Sequence, residues 1–325
     1  MPLSPAPRGG SSVTLPARVN AARYSMWAAA PLALFTFLAS SPSATNVSVR
    51  VILIALALIS PLVLVWVGLR ITADAGPAPG ATGREALRAG WDWTDMAAFL
   101  PLAAGAVLVT ASVLVGLTQA LDRSLQVSAR TAVESFAGQA ASYAAALAAL
   151  VVLVVMRRGL RIRDLGWCLP RALGRLGWLP WLAVGVVGAG VALEIADWLG
   201  SFATQVLPNS PNTQCTAVRD EYGGYVAVAI PLVCLIAPLS EETIFRGFLY
   251  GWLRRRLPVI PAVLVSSALF SAAHLVVVLA LPLFAVGVIL ALLYEYSHSL
   301  IPGAIVHGLF NLVGILAILG ATAVC

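Results

Sequence analysis

A chain of 325 residues that is 60% hydrophobic and only 10% charged departs far from soluble domains, in which about a quarter of residues carry charge. That excludes a soluble enzyme and leaves an all-α, polytopic transmembrane helix bundle in a lipid bilayer. The net charge of +6 comes wholly from arginine, and arginine set between apolar runs orients spans rather than binding nucleic acid.

In chain order, residues 1–24 are rich in Pro, Ser, Gly and Ala with Arg8, Arg18 and Arg23, and read as a disordered basic tail. Apolar runs follow near 26–40, 50–69, 96–119, 136–156, 178–199, 225–253, 259–280, 282–297 and 300–322. The first and the 282–297 run are short for a span, so eight to nine membrane helices are expected. Arg157, Arg158, Arg161, Arg163, Arg171 and Arg175 after the fourth run, and Arg254, Arg255 and Arg256 after the sixth, place both segments in the cytoplasm. Counting back puts the N-terminus there as well, in what is expected to be the plasma (inner) membrane.

Several features have plain structural readings. The stretch Trp91-Asp92-Trp93-Thr94-Asp95 reads as an interfacial anchor and N-cap for the third helix. Glu194 and Asp197 are expected to be solvated near the outer end of the fifth helix, and Glu295 and His298 at an interface. Gly185, Gly188 and Gly190, like Gly247 and Gly251, suit close helix packing. The cysteines Cys168, Cys215, Cys234 and Cys325 show no metal-ligand spacing, and a Cys215–Cys325 disulfide requires that both lie on one side.

The sixth run is interrupted by Ser240-Glu241-Glu242-Thr243-Ile244-Phe245-Arg246. A charge at the middle of a membrane helix costs at least about 2.5–3.5 kcal/mol, so such groups face a protein interior or a wet cavity. Glu242 and Arg246 have the i, i+4 spacing and order of a helical ion pair. Glu241 lies about 100° around the helix from Glu242 and is left free to point into a site. The seventh run holds Phe270 and His274, and the ninth His307 and Asn311, each an i, i+4 pair on one helix face. With a rise of 1.5 Å per residue, Glu241 and His274 stand about 20 and 22 Å from the cytoplasmic boundary, with His307 and Asn311 lower at about 10 and 16 Å. A tilted helix lets all four converge. A lone histidine in an apolar helix is more often a hydrogen-bonded core residue than a catalytic one; a His and an Asn on one face of a third helix shift that balance.

These three motifs, Glu241-Glu242-xxx-Arg246, Phe270-xxx-His274 and His307-xxx-Asn311, resemble those of the CAAX prenyl endopeptidase type II (CPBP or Abi) family of intramembrane proteases. The resemblance covers about residues 225–320. It implies a catalytic transmembrane domain over 221–325, with 25–220 forming N-terminal transmembrane helices of unassigned role. It implies a hydrolase in which Glu241 and His274 activate a water, His307 and Asn311 donate to the oxyanion, Glu242 and Arg246 balance charge and hold the helix, and Phe270 lines the site wall. The substrate it implies is a peptide or membrane protein with a hydrophobic or lipidated, CAAX-like tail. The family is often classed with metalloendopeptidases, and Glu241, His274 and His307 could supply three zinc ligands. No HExxH is present, which favours a metal-independent water and leaves the metal open.

Two other classes compete. A non-catalytic immunity or scaffold protein of the same fold would use the polar cluster structurally. A proton- or ion-coupled transporter would use it as a relay, but the first half of the chain offers no counterpart such as inverted repeats provide.

Overall fold

The computed structural model describes residues 127–156, 161–208, 210–223 and 225–319, with scattered positions between 91 and 110. The expected tail and the first two apolar runs lie outside the described residues, as does most of the third. Among the described residues there is no strand, and five helices are long and apolar enough to cross a membrane. The chain is an integral membrane helix bundle.

Helix α1 (Val127–Leu150) is alanine-rich, starts earlier than its apolar run, and continues as a π turn over Val151–Met156. The arginine-rich segment that follows folds back onto the bundle. Its 3-10 turn Ile162–Leu165 ends at Gly166 with φ 107°, a backbone state natural to glycine. A Cβ there would stand 2.6 Å from the Tyr294 ring, so glycine is required twice over. Helix α2 (Pro180–Val206) has proline in its first turn, where the missing N–H costs nothing. Its Gly185 and Gly188 lie against Ile305 and Val306 of the last helix, as close packing requires, whereas Gly190 meets nothing within 4 Å. Glu194 and Asp197 do not stand at its end, since α2 runs on to Val206; both are exposed on its surface. Helix α3 (Thr213–Tyr222) is capped by the Asn212 side chain accepting from the Cys215 N–H at 3.1 Å. Cys215 is disulfide-bonded, while Cys168 and Cys234 are free; Cys325 lies outside the described residues.

Helix α4 is one rod of alternating character, spanning Ala227–Arg254. Helical turns Val226–Pro231, Ala237–Glu241 and Gly251–Arg254 are separated by π-helical Leu232–Ile236 and Glu242–Tyr250. Helix α5 (Val259–Ala273) is the short member of the bundle, about 22 Å by the rise of a helix. Its run was expected to reach residue 280, but His274 caps it and Leu275 turns left-handed at φ 56°. A 3-10 turn (Val277–Leu279) leads into α6 (Ala280–Ser297), which starts earlier than its run and, with that turn, is long enough to cross. His298, exposed and left-handed at φ 55°, separates α6 from α7 (Leu300–Leu319).

Two sequence readings need correction. Trp91 is not an interfacial anchor: it is 2% exposed, donates from its indole to the Phe248 carbonyl at 2.9 Å, and carries the Arg255 guanidinium 4.1 Å above its ring. Burying so large a ring against α4 outweighs leaving it at an interface. Glu295 is not simply solvated either. It accepts two bonds from Arg254, both at 2.9 Å, and one from the Tyr250 hydroxyl at 2.8 Å, tying the ends of α4 and α6.

Candidate active site

Three helices bring Glu241, Glu242, His274 and His307 together, while Asn311 is tied to Val233 of α4. Glu242 and Arg246, both fully buried, form their pair within α4 at 3.3 Å. Arg246 also donates to the Gly287 carbonyl at 3.3 Å and lies 4.2 Å over the Phe270 ring. The Arg246 Nη1 is within ion-pair distance of Glu242 but off hydrogen-bond alignment, because Glu242 Oε1 also receives His307 Nδ1 at 3.1 Å. Glu242 thus binds α7 to α4. Gly303, one turn before His307, admits the other oxygen: a Cβ there would stand 3.0 Å from Glu242 Oε2.

Glu241 points the other way, with 14% of its side chain exposed. Its Oε2 lies 4.0 Å from His274 Nε2 and 3.7 Å from His307 Nε2, and has no hydrogen-bond partner. Its Oε1 accepts the Tyr143 hydroxyl of α1 at 2.7 Å. Phe270 is the spacer beneath both imidazoles, edge-on to His274 with centroids 4.9 Å apart and to His307 at 5.7 Å. Asn311, one turn beyond His307, donates its amide at 2.9 Å to the Val233 carbonyl in the first π segment.

The tautomers follow from the partners. His274 Nδ1 lies 2.9 Å from the Phe270 carbonyl; a carbonyl only accepts, so Nδ1 carries the proton and Nε2 of the neutral ring is a lone pair. His307 Nδ1 faces the Glu242 carboxylate, so the same holds there, and His307 donates from Nε2 only when doubly protonated. Glu241 Oε2 and the two Nε2 atoms face one gap, and each Nε2 is an acceptor while its ring is neutral and a donor once doubly protonated.

Residues 223–313 match the family model described as type II CAAX prenyl endopeptidase Rce1-like. The chain is also 30% identical over 149 residues to the UPF0177 protein YxdF of Lactococcus lactis subsp. lactis (strain IL1403), covering 44% of this chain and 76% of that protein. The chain belongs to the Rce1-like CAAX endopeptidase family. No solved structure matches it. The matched segment of this Rce1-like chain holds Glu241, Glu242, Arg246, Phe270, His274, His307 and Asn311. Tyr143 lies outside it and was missed in the sequence, where its only mark is a lone phenol in an alanine-rich run. Trp167 was missed likewise. Its indole reaches the Thr243 hydroxyl at 2.9 Å, so the arginine-rich segment touches the helix that carries both glutamates.

Proposed function

We propose that this Rce1-like chain is an intramembrane endopeptidase that hydrolyses a peptide bond in a hydrophobic or lipidated, CAAX-like protein tail, using a water activated by Glu241 and His274. The observation that carries the reading is the gap lined by Glu241 Oε2, His274 Nε2 and His307 Nε2. A water in the gap donates its two hydrogens to Glu241 Oε2 and His274 Nε2 and accepts from the Nε2–H of a doubly protonated His307. Its oxygen attacks the peptide carbonyl as Glu241 takes one of its protons, general-base work that typically contributes 10²–10⁴-fold. The doubly protonated His307, and the second amide hydrogen of Asn311, donate to the resulting oxyanion. Collapse breaks the C–N bond, and the proton held by Glu241 leaves with the amine. Glu242 and Arg246 stay paired throughout, holding His307 in place and balancing charge. The protein is read as lying in the plasma membrane with its N-terminus in the cytoplasm.

Glu241, His274 and His307 are also a donor set for zinc, whose tetrahedral ligands about 2.1 Å from the metal stand about 3.4 Å apart. Here the N···O separations are wider, and among the described residues no three His, Cys, Asp or Glu side chains are gathered to hold a metal ion. The reading is built on a water, and zinc is the alternative that the chelator arm of the test addresses. The test is comparative proteomics of membrane fractions from cells with the wild-type chain and with Glu241→Gln. Trimmed C-termini should disappear in the variant at normal expression, and trimming should persist in isolated wild-type membranes treated with 1,10-phenanthroline. Unchanged trimming with Glu241→Gln would leave a structural scaffold as the role, while phenanthroline-sensitive trimming restored by zinc would replace the water mechanism with a metal one.

A further inference from the structure

Glu241 has two oxygens, and the fold treats them differently. Oε2 faces the imidazoles without a hydrogen bond, whereas Oε1 accepts the Tyr143 hydroxyl at 2.7 Å. A terminal carboxylate rotates over a broad, roughly two-fold torsion, so nothing within α4 decides which oxygen enters the gap. The Tyr143 ring is well placed to decide it. It packs with Phe136 and Ala140 of α1 against Leu232 of the first π segment, Ile315 of α7 and Tyr222 of α3. One turn earlier on α1, Gln139 donates to Glu221 at 3.1 Å and lies 3.5 Å from the Tyr222 hydroxyl, fixing α1 against α3. The phenol is therefore delivered to Glu241 by a braced helix lying wholly outside the family-matched segment 223–313.

We infer that Tyr143 is a positioning residue of this site: its hydroxyl locks the Glu241 carboxylate so that Oε2 alone faces the two imidazoles, making α1 part of the catalytic unit. The consequence for turnover rests on the peptidase reading. Oε2 takes and returns the water's proton while Oε1 stays hydrogen-bonded to the phenol.

Tyr143→Phe keeps the ring and its packing and removes only the hydroxyl. On a C-terminal peptide whose trimming depends on Glu241, the variant should lose about 10- to 100-fold in kcat, a share of the 10²–10⁴ available to a positioned base. KM should stay within about twofold, since ground-state binding is untouched. A second readout needs no substrate. Dicyclohexylcarbodiimide adds to carboxyl oxygens in apolar surroundings, so a Glu241 carboxyl released from the phenol offers it a second open oxygen, and mass spectrometry of the peptide carrying Glu241 reads the rate. In detergent-purified full-length protein, Tyr143→Phe should be labelled several-fold faster than wild type at the same pH, with Glu241→Gln as the unlabelled control. Wild-type kcat and labelling in Tyr143→Phe, with Glu241→Gln inactive, would overturn the positioning role and leave the peptidase standing. If no Glu241-dependent cleavage exists, the peptidase reading fails by itself, and the labelling rate still decides the role of Tyr143: faster labelling supports it and an unchanged rate overturns it.

Discussion

Arg246 has no exposed surface, and its guanidinium answers to Glu242, to the Gly287 carbonyl and to the face of Phe270 at once. A buried pair of this kind adds little net stability over an apolar replacement, but removing one partner strands the other charge, at about 3–5 kcal/mol. Arg246→Met should therefore lower the unfolding temperature of the detergent-solubilised protein markedly. Arg246→Met combined with Glu242→Gln should recover much of that loss while remaining inactive, because His307 then loses the carboxylate that orients it. Double-mutant unfolding curves alongside trimming assays check both halves. The Glu242–Arg246 pair was legible in the sequence because i, i+4 geometry is local. The Tyr143–Glu241 bond spans 98 positions, and no local period points to it.

Helix α4 changes its winding on both sides of the turn that carries Glu241. The π turns Leu232–Ile236 and Glu242–Tyr250 flank the helical turn that ends at Glu241, and wide turns of this kind loosen the backbone ladder and recur at functional sites. Neighbouring side chains collect the carbonyls: Ser240 donates to Ile236 at 2.7 Å, Thr243 to Leu239 at 2.6 Å, Ser266 to Phe245 at 3.3 Å and Asn311 to Val233. The last bond depends on how closely α7 approaches. A Cβ on Gly308 would stand 2.6 Å from the Cys234 carbonyl, a backbone atom that cannot swing aside. Gly308→Ala is expected to cost about 1–3 kcal/mol, as overpacking does, and to impair trimming by shifting His307 and Asn311. Gly314→Ala, where nothing lies within 4 Å, should match wild type in both thermal unfolding and trimming.

For the whole molecule, the segment that matches the family is packed against the rest of the chain at several points. Gly247 of α4 packs on Leu165, where a Cβ would stand 2.6 Å from its carbonyl oxygen. Trp167 holds Thr243, Tyr143 holds Glu241, and α2 lies against α7 through Gly185 and Gly188. A fragment of residues 221–325 is thus expected to be degraded or inactive when expressed alone, and co-expression with residues 1–220 to restore trimming. Immunoblots of membrane fractions and the trimming assay read the two outcomes.

Membrane residence, a helical fold and the gathering of Glu241, His274 and His307 from three late helices were legible in the sequence, because apolar length and helical spacing are properties of short stretches. The depth argument placed Glu241 and His274 level, and their 4.0 Å separation accords with it. Helix ends were less legible: nothing local announces that α5 stops at Ala273, since that end rests on a left-handed Leu275. Trp91 and Glu295 were misread for a related reason, because aromatic and charged residues at helix ends suit either an interface or a buried partner, and only packing chooses. Tertiary structure alone decided which oxygen of Glu241 faces the imidazoles and which distant helix holds the other, since a carboxylate's rotation is set by contacts that no stretch of sequence contains.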